Sequence, residues 1–133
     1  MRQAISVLAG AALLLVAASS APAHHSPSAI FDMSRRIAVK GTLTKIDWIN
    51  PHIVLGVDAA GEGGATQHWV FESNPPSWYR SVGLARADFA KALGQTVTVE
   101  GVRARDGTLF GYMQKITMPD GTSLELINSA DPK

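Results

Sequence analysis

Three observations predict an all-β domain, a small Greek-key barrel of five to six strands. From residue 37 onward apolar side chains mostly alternate with polar ones, glycine-bearing turns punctuate the alternation, and one helix-like stretch interrupts it midway. At 133 residues the chain has the length of a single domain. It has no cysteine, which excludes disulfides, thiolate metal sites and thiol catalysis.

The first strand starts at Ile37, where Ile37, Val39, Gly41 and Leu43 alternate with Ala38, Lys40, Thr42 and Thr44. The apolar phase then flips to Ile46 and Trp48, which predicts a bulge or a sharp bend, and Gly41 lowers the cost of bending. Asn50-Pro51 breaks the run. In the second strand Ile53, Leu55 and Val57 share one face, with His52, Val54, Gly56 and Asp58 on the other. Gly61-Glu62-Gly63-Gly64 supplies a hairpin connection. The third strand places Trp69 and Phe71 on one face, where they read as core, and His68, Val70 and Glu72 on the other.

After Asn74-Pro75-Pro76-Ser77 the period changes. A short helix is predicted over 78–82, ended by Gly83, and a second helical stretch over 86–93, ended by Gly94. Val97 and Val99 against Thr96, Thr98 and Glu100 restore the period of two in the fourth strand. Asp106-Gly107 turns into a fifth strand over 109–118, and Pro119-Asp120-Gly121 into a sixth over 122–127. A long bent first strand, with a helical connection between strands three and four, matches an OB-like barrel, the oligonucleotide/oligosaccharide-binding architecture. An open sandwich of six strands with the helices at one end is the competing arrangement.

Ahead of this domain, residues 1–23 read as a cleaved secretory signal peptide. Arg2 precedes an apolar run over 4–18, shorter than the roughly 20 residues of a membrane span, and Ala21-Pro22-Ala23 has the small-x-small cleavage pattern. The sequence thus predicts a periplasmic or secreted protein with no stable membrane anchor after cleavage. Its parts are an N-terminal arm at 24–36, the β-barrel domain at 37–127 and a disordered tail at 128–133. Twelve Lys and Arg face eleven Asp and Glu. Loss of Arg2 with the leader makes that balance neutral, which removes the bulk attraction that drives nucleic-acid binding.

These segments resemble a family of small exported bacterial proteins of unknown function. The resemblance rests on His24-His25-Ser26 at the mature start, Phe31-Asp32, Gly41-Thr42-Leu43 and Trp48-Ile49-Asn50-Pro51-His52. It continues through Trp69-Val70-Phe71-Glu72, Gly83, Gly94 with Val97-Thr98-Val99, Arg105-Asp106-Gly107 and Asp120-Gly121. It implies an exported single-domain protein and supplies no activity to carry over.

The four histidines are the candidate chemistry: His24, His25, His52 and His68. Cleavage after Ala23 puts a free α-amine on His24, and that amine with ring Nδ1 can chelate one ion. Nitrogen donors of this kind suit Cu(II), which also leads the divalent affinity order. The α-amine, with an ordinary pKa of about 7.7–8.0, yields its proton readily to a competing metal. His52 is the second imidazole, with His25 or His68 as alternates. Met33, Met113 and Met118 suit Cu(I) but are dispersed along the chain. Zinc is the second-choice metal, because histidine nitrogen and Glu72 oxygen both suit it.

The bland reading has His52 bonded to a turn backbone and His68 half exposed on its strand. An arm of thirteen residues reaches roughly 43 Å, so it selects no partner by itself. Asp47, Glu72, Glu100 and Glu125 read as solvent-facing rather than as an acid/base pair, and Ser77 and Ser81 have no evident base. Among the aromatics, Trp78-Tyr79 is the more exposed candidate for a stacking face. The sequence therefore points to a non-enzymatic binding module, copper-binding through its leading histidine. The alternative is a metal-free OB-like module for a small ligand, glycan or partner protein. A copper-dependent redox enzyme is the third and weakest reading.

Overall fold

The computed structural model describes residues 26–126. The predicted leader, His24, His25, Ile127 and the tail at 128–133 lie outside the described residues. Helix α1 (Pro27–Ile30) leads into β1 (Phe31–Asp47), followed by β2 (Val54–Ala60), a 3-10 turn (Glu62–Gly64) and β3 (Thr66–Glu72). Helices α2 (Pro76–Ser81) and α3 (Arg86–Ala90) connect to β4 (Thr96–Ala104), β5 (Phe110–Thr117) and β6 (Ser123–Glu125). No helix among the described residues is long and apolar enough to cross a membrane.

The strand order is β3-β2-β1-β4-β5-β6, and β3 also pairs with β5. That last pairing is parallel and short, from Val70 opposite Phe110 to Glu72 opposite Tyr112, and every other pairing is antiparallel. Five strands thereby form a ring in the order of an OB-like Greek key, with β6 added outside it and the helices between β3 and β4. The predicted all-β class and the helical connection are both present.

Alternation puts the expected side chains inside. Leu43, Leu55, Val57, Phe71, Val99, Met113 and Ile116 are fully buried, and Tyr79 of α2 and Phe89 of α3 join the same core. The phase flip in β1 is a register shift between Leu43 and Lys45, which lets both Leu43 and Ile46 face inward. Gly41 plays a different part from the one its position suggests. A Cβ there would overlap the carbonyl oxygen of Asp58, so glycine is what allows β2 to approach β1 so closely.

The structure extends β1 six residues earlier than the alternation indicates. Phe31 pairs with Ala104 and Arg36 with Val102, flanking an irregular stretch of the ladder. Asp32 accepts hydrogen bonds from the Ser34 backbone N–H (3.0 Å) and hydroxyl (2.7 Å), a local turn that erases the period of two. Those bonds hold the Asp32 carboxyl below its usual range. In β4 a second shift, between Glu100 and Gly101, inverts the phase, so Val102 and Ala104 leave the main core. They form a smaller core with Tyr112 and with Phe31, whose ring lies 5.0 Å from that of Phe110 and 5.5 Å from that of Tyr112. The root of the arm is thus part of the fold. Phe31→Ala is expected to cost about 3–5 kcal/mol, against about 0.5 kcal/mol for a substitution in a loose tail, read from the denaturant midpoint.

Candidate functional site

The β2–β3 ladder runs from Ala60 opposite Thr66 to Val54 opposite Glu72. Backbone pairing continues past the strand ends: Ser73 N–H donates to Ile53 O (2.9 Å) and Ile53 N–H to Asn74 O (3.2 Å). The turn entering β2, which includes the cis Asn50–Pro51 peptide, is therefore held beside the chain leaving β3. His52 sits at this junction. Its Nδ1 lies 3.0 Å from Ser73 O. A carbonyl only accepts, so Nδ1 carries the hydrogen of that bond, and Nε2 is the ring nitrogen left to meet another group. Glu72 Oε1 lies 3.5 Å from the same Nδ1; the His52 side chain is 37% exposed and that of Glu72 20%.

Behind the imidazole the polar groups are buried and paired. Ser73 and Asn74 are the buried polar residues of the described chain. The Ser73 hydroxyl meets the Tyr79 hydroxyl at 2.5 Å, and the Tyr112 hydroxyl donates to Asn74 Oδ1 at 2.8 Å. Among the described residues no buried side-chain polar atom lacks a partner. The Tyr79 ring is enclosed by Trp48 (5.1 Å), Trp78 (5.0 Å) and Phe89 (5.4 Å). Burial pushes the Tyr79 phenol well above its ordinary range, so it stays a neutral donor and acceptor. One corner of the strand ring thus gathers the Trp48–His52 and Glu72–Tyr79 segments around a half-exposed imidazole.

The other predicted site residues are placed apart. His68 stands opposite Asp58 on the same hairpin, its Nδ1 2.7 Å from Asp58 Oδ1, and its side chain is 75% exposed. Four residues of strand separate it from Glu72, about 13 Å, too far for the two histidines to share an ion. Among the described residues no three His, Asp or Glu side chains are grouped as a cation site. Met113 is fully buried in the main core, Met118 packs against that core and Met33 against the smaller one, so the sulfurs form no group.

Two expectations change on contact with the tertiary structure. Tyr79 is fully buried rather than part of an exposed stacking face, because its ring packs into the main core against Trp48, Trp78 and Phe89. Glu72 is largely covered beside His52 rather than solvent-facing. Counting outward in equal steps from the Gly61–Gly64 turn would have set His52 opposite Asn74, next to Glu72. Trp69 and Phe71 are core as predicted, stacked at 5.8 Å.

Removing the Tyr79 hydroxyl leaves that of Ser73 buried and unpaired. Tyr79→Phe is expected to cost about 1–3 kcal/mol near neutral pH, measured by denaturant unfolding. The folded phenol titrates above its unfolded value of about 10, so the stability it protects is complete below pH 10 and lost as pH rises beyond it. The alkaline decline in unfolding midpoint is accordingly expected to be shallower in Tyr79→Phe.

A family model, described as a family of unknown function (DUF6152), matches residues 11–113, more than half of the chain and including all the segments gathered at this corner. No curated protein matches the chain.

Proposed function

We propose a function for a chain that belongs to this family of unknown function: an exported, non-enzymatic binding module that holds copper. The ligands in this reading are the His24 α-amine and ring, His52 Nε2, and His25 as a further donor. Zinc is the second-choice metal. His68, bonded to Asp58 and displaced along the hairpin, stands outside this set.

The carrying observation is the orientation of His52. Metal-ligating histidines almost always donate the other ring N–H to a carbonyl or carboxylate, and Nδ1 of His52 faces both, Ser73 O at 3.0 Å and Glu72 Oε1 at 3.5 Å. The bond to a turn backbone, the bland alternative for this residue, is thus also the arrangement that presents Nε2 to a metal.

The root of the arm gives further support. Phe31 packs on Tyr112, which is paired with Glu72 on the neighbouring strand. Arg105 fastens α1 by two hydrogen bonds, from its backbone N–H to Ile30 O (2.9 Å) and from its Nε to Ser28 O (3.0 Å). Because α1 is helical and held at Ser28, only the four residue steps from Ser28 back to His24 set the reach, up to about 14 Å, against roughly 5 Å between strands. A leading residue tethered this near is presented to His52 at high effective concentration, unlike one on a free thirteen-residue arm. Nitrogen donors then favour Cu(II) over other divalent ions.

The test uses the protein purified from the periplasm, with its first residue read by mass spectrometry. Cu(II) titration is expected to produce nitrogen hyperfine structure in the spin-resonance spectrum. His24→Ala is expected to lose the amine-and-ring signature, and His52→Ala to weaken binding about tenfold or more. Copper retention unchanged in the double variant, or a mature chain that starts elsewhere, overturns the reading. A metal-free module has one observation in its favour, the exposure of Val70 (41%) on the β2–β3 face that OB-like barrels use for ligands.

A further inference from the structure

We infer that the end of the strand ring around Tyr79 is a docking surface for an anionic lipid bilayer. The inference goes beyond the copper reading and uses no bound ion. Trp48 and Trp78 both pack on the buried Tyr79 ring, at 5.1 and 5.0 Å, and both are only partly buried themselves. Ile49 follows Trp48 in the chain and is 58% exposed. Val82, one helical turn beyond Trp78, is 49% exposed. Two indoles and two aliphatic side chains thus reach water from segments that the aromatic cluster brings together, the turn after β1 and the end of α2.

The charges on these segments are unbalanced in one direction. The acids are Asp47, Glu72 and Asp88, and each faces a partner. Asp47 meets the Lys45 ammonium at 2.8 Å, and Glu72 lies 3.5 Å from the His52 ring. Asp88 accepts from the Ala85 backbone N–H at 2.9 Å and stands 3.6 Å from Lys91. Arg80 of α2 and Arg86 of α3 are exposed, and among the described residues neither forms an ion pair. Two uncompensated guanidinium groups beside accessible indoles match the layers of a bilayer surface. Phosphates lie outermost, tryptophan settles at the interface below them, and aliphatic tips enter the acyl boundary. Arginine stems lie along apolar surface while their heads stay at the phosphates. A protein partner fits less well, because a stable interface covers about 800 Å² on each side. The accessible apolar surface at this end is confined to two aliphatic side chains and the uncovered parts of two indoles. So few groups make the contact peripheral and reversible.

The test mixes the processed protein, free of the apolar run over 4–18, with vesicles of phosphatidylcholine alone or with added phosphatidylglycerol, in the presence of a chelator. Co-sedimentation is expected with the phosphatidylglycerol vesicles only. It is expected to be lost in about 1 M salt, where the screening length falls to about 3 Å. Tryptophan emission is expected to shift to the blue and to be quenched by brominated acyl chains. That signal comes from Trp48 and Trp78, because Trp69 is buried. Arg80→Gln and Arg86→Gln are each expected to weaken partitioning about fivefold, and Ile49→Ser about tenfold. All three side chains are exposed, so the unfolding midpoint of each variant is expected to stay at the wild-type value. No sedimentation with phosphatidylglycerol vesicles, equal sedimentation with both kinds, or binding unchanged in the Arg80→Gln/Arg86→Gln double variant overturns the inference. Concentration-dependent dimers that Ile49→Ser disperses, without vesicle binding, overturn it as well and assign the face to a second copy of the chain.

Discussion

The candidate site depends on two backbone hydrogen bonds that join Ile53 to Ser73 and Asn74 beyond the ends of β2 and β3. They carry the hairpin ladder into what would otherwise be two independent turns. Buried backbone groups must be paired, and here the pairing also decides which side chains become neighbours. His52 is placed against the Ser73 carbonyl, Ser73 against Tyr79, and Asn74 against Tyr112. The half-exposed imidazole is the outermost member of a network whose inner members are fully satisfied. Breaking any bond of such a covered network is costly, because the low local dielectric penalises an unpaired polar group.

Two cores share the work of holding the ring of strands together. The main one fills the ring, and its inward residues follow from alternation. The smaller one exists because β4 changes phase at Glu100–Gly101 and offers Val102 and Ala104 to another face. Phe31 covers that face, and Arg105 fastens the helix ahead of it. Phe31 thereby lies against Tyr112, the residue that pairs with Glu72 on the neighbouring strand.

How much of this was legible in the sequence varies with the range of the interaction involved. The burial of Leu55, Val57, Trp69 and Phe71 follows from period-two spacing, and the observed bulge after Leu43 from the phase flip. The onset of β1 at Phe31 was hidden because Asp32 bonds its own neighbour Ser34 and removes the alternation there. The burial of Tyr79 was hidden as well, since a helix of six residues has too few turns to display which side faces inward. Glu72 was misread for a related reason. Its outward parity is correct, but outward on β3 means toward the turn that holds His52.

By itself the sequence determined the all-β class, the order of the strands with a helical connection between the third and fourth, most inward-facing strand residues and the histidines worth weighing, but not the helix at Pro27–Ile30. These are consequences of local periodicity and turn chemistry, which act over a few residues. The tertiary structure alone decided that His52 and Glu72 meet, that His68 stands apart and that Phe31 belongs to a core. Those outcomes come from strand register and from the parallel closure of β3 on β5, contacts between segments far apart in the chain. A shift of one residue in either pairing would leave every local pattern intact and assemble a different corner.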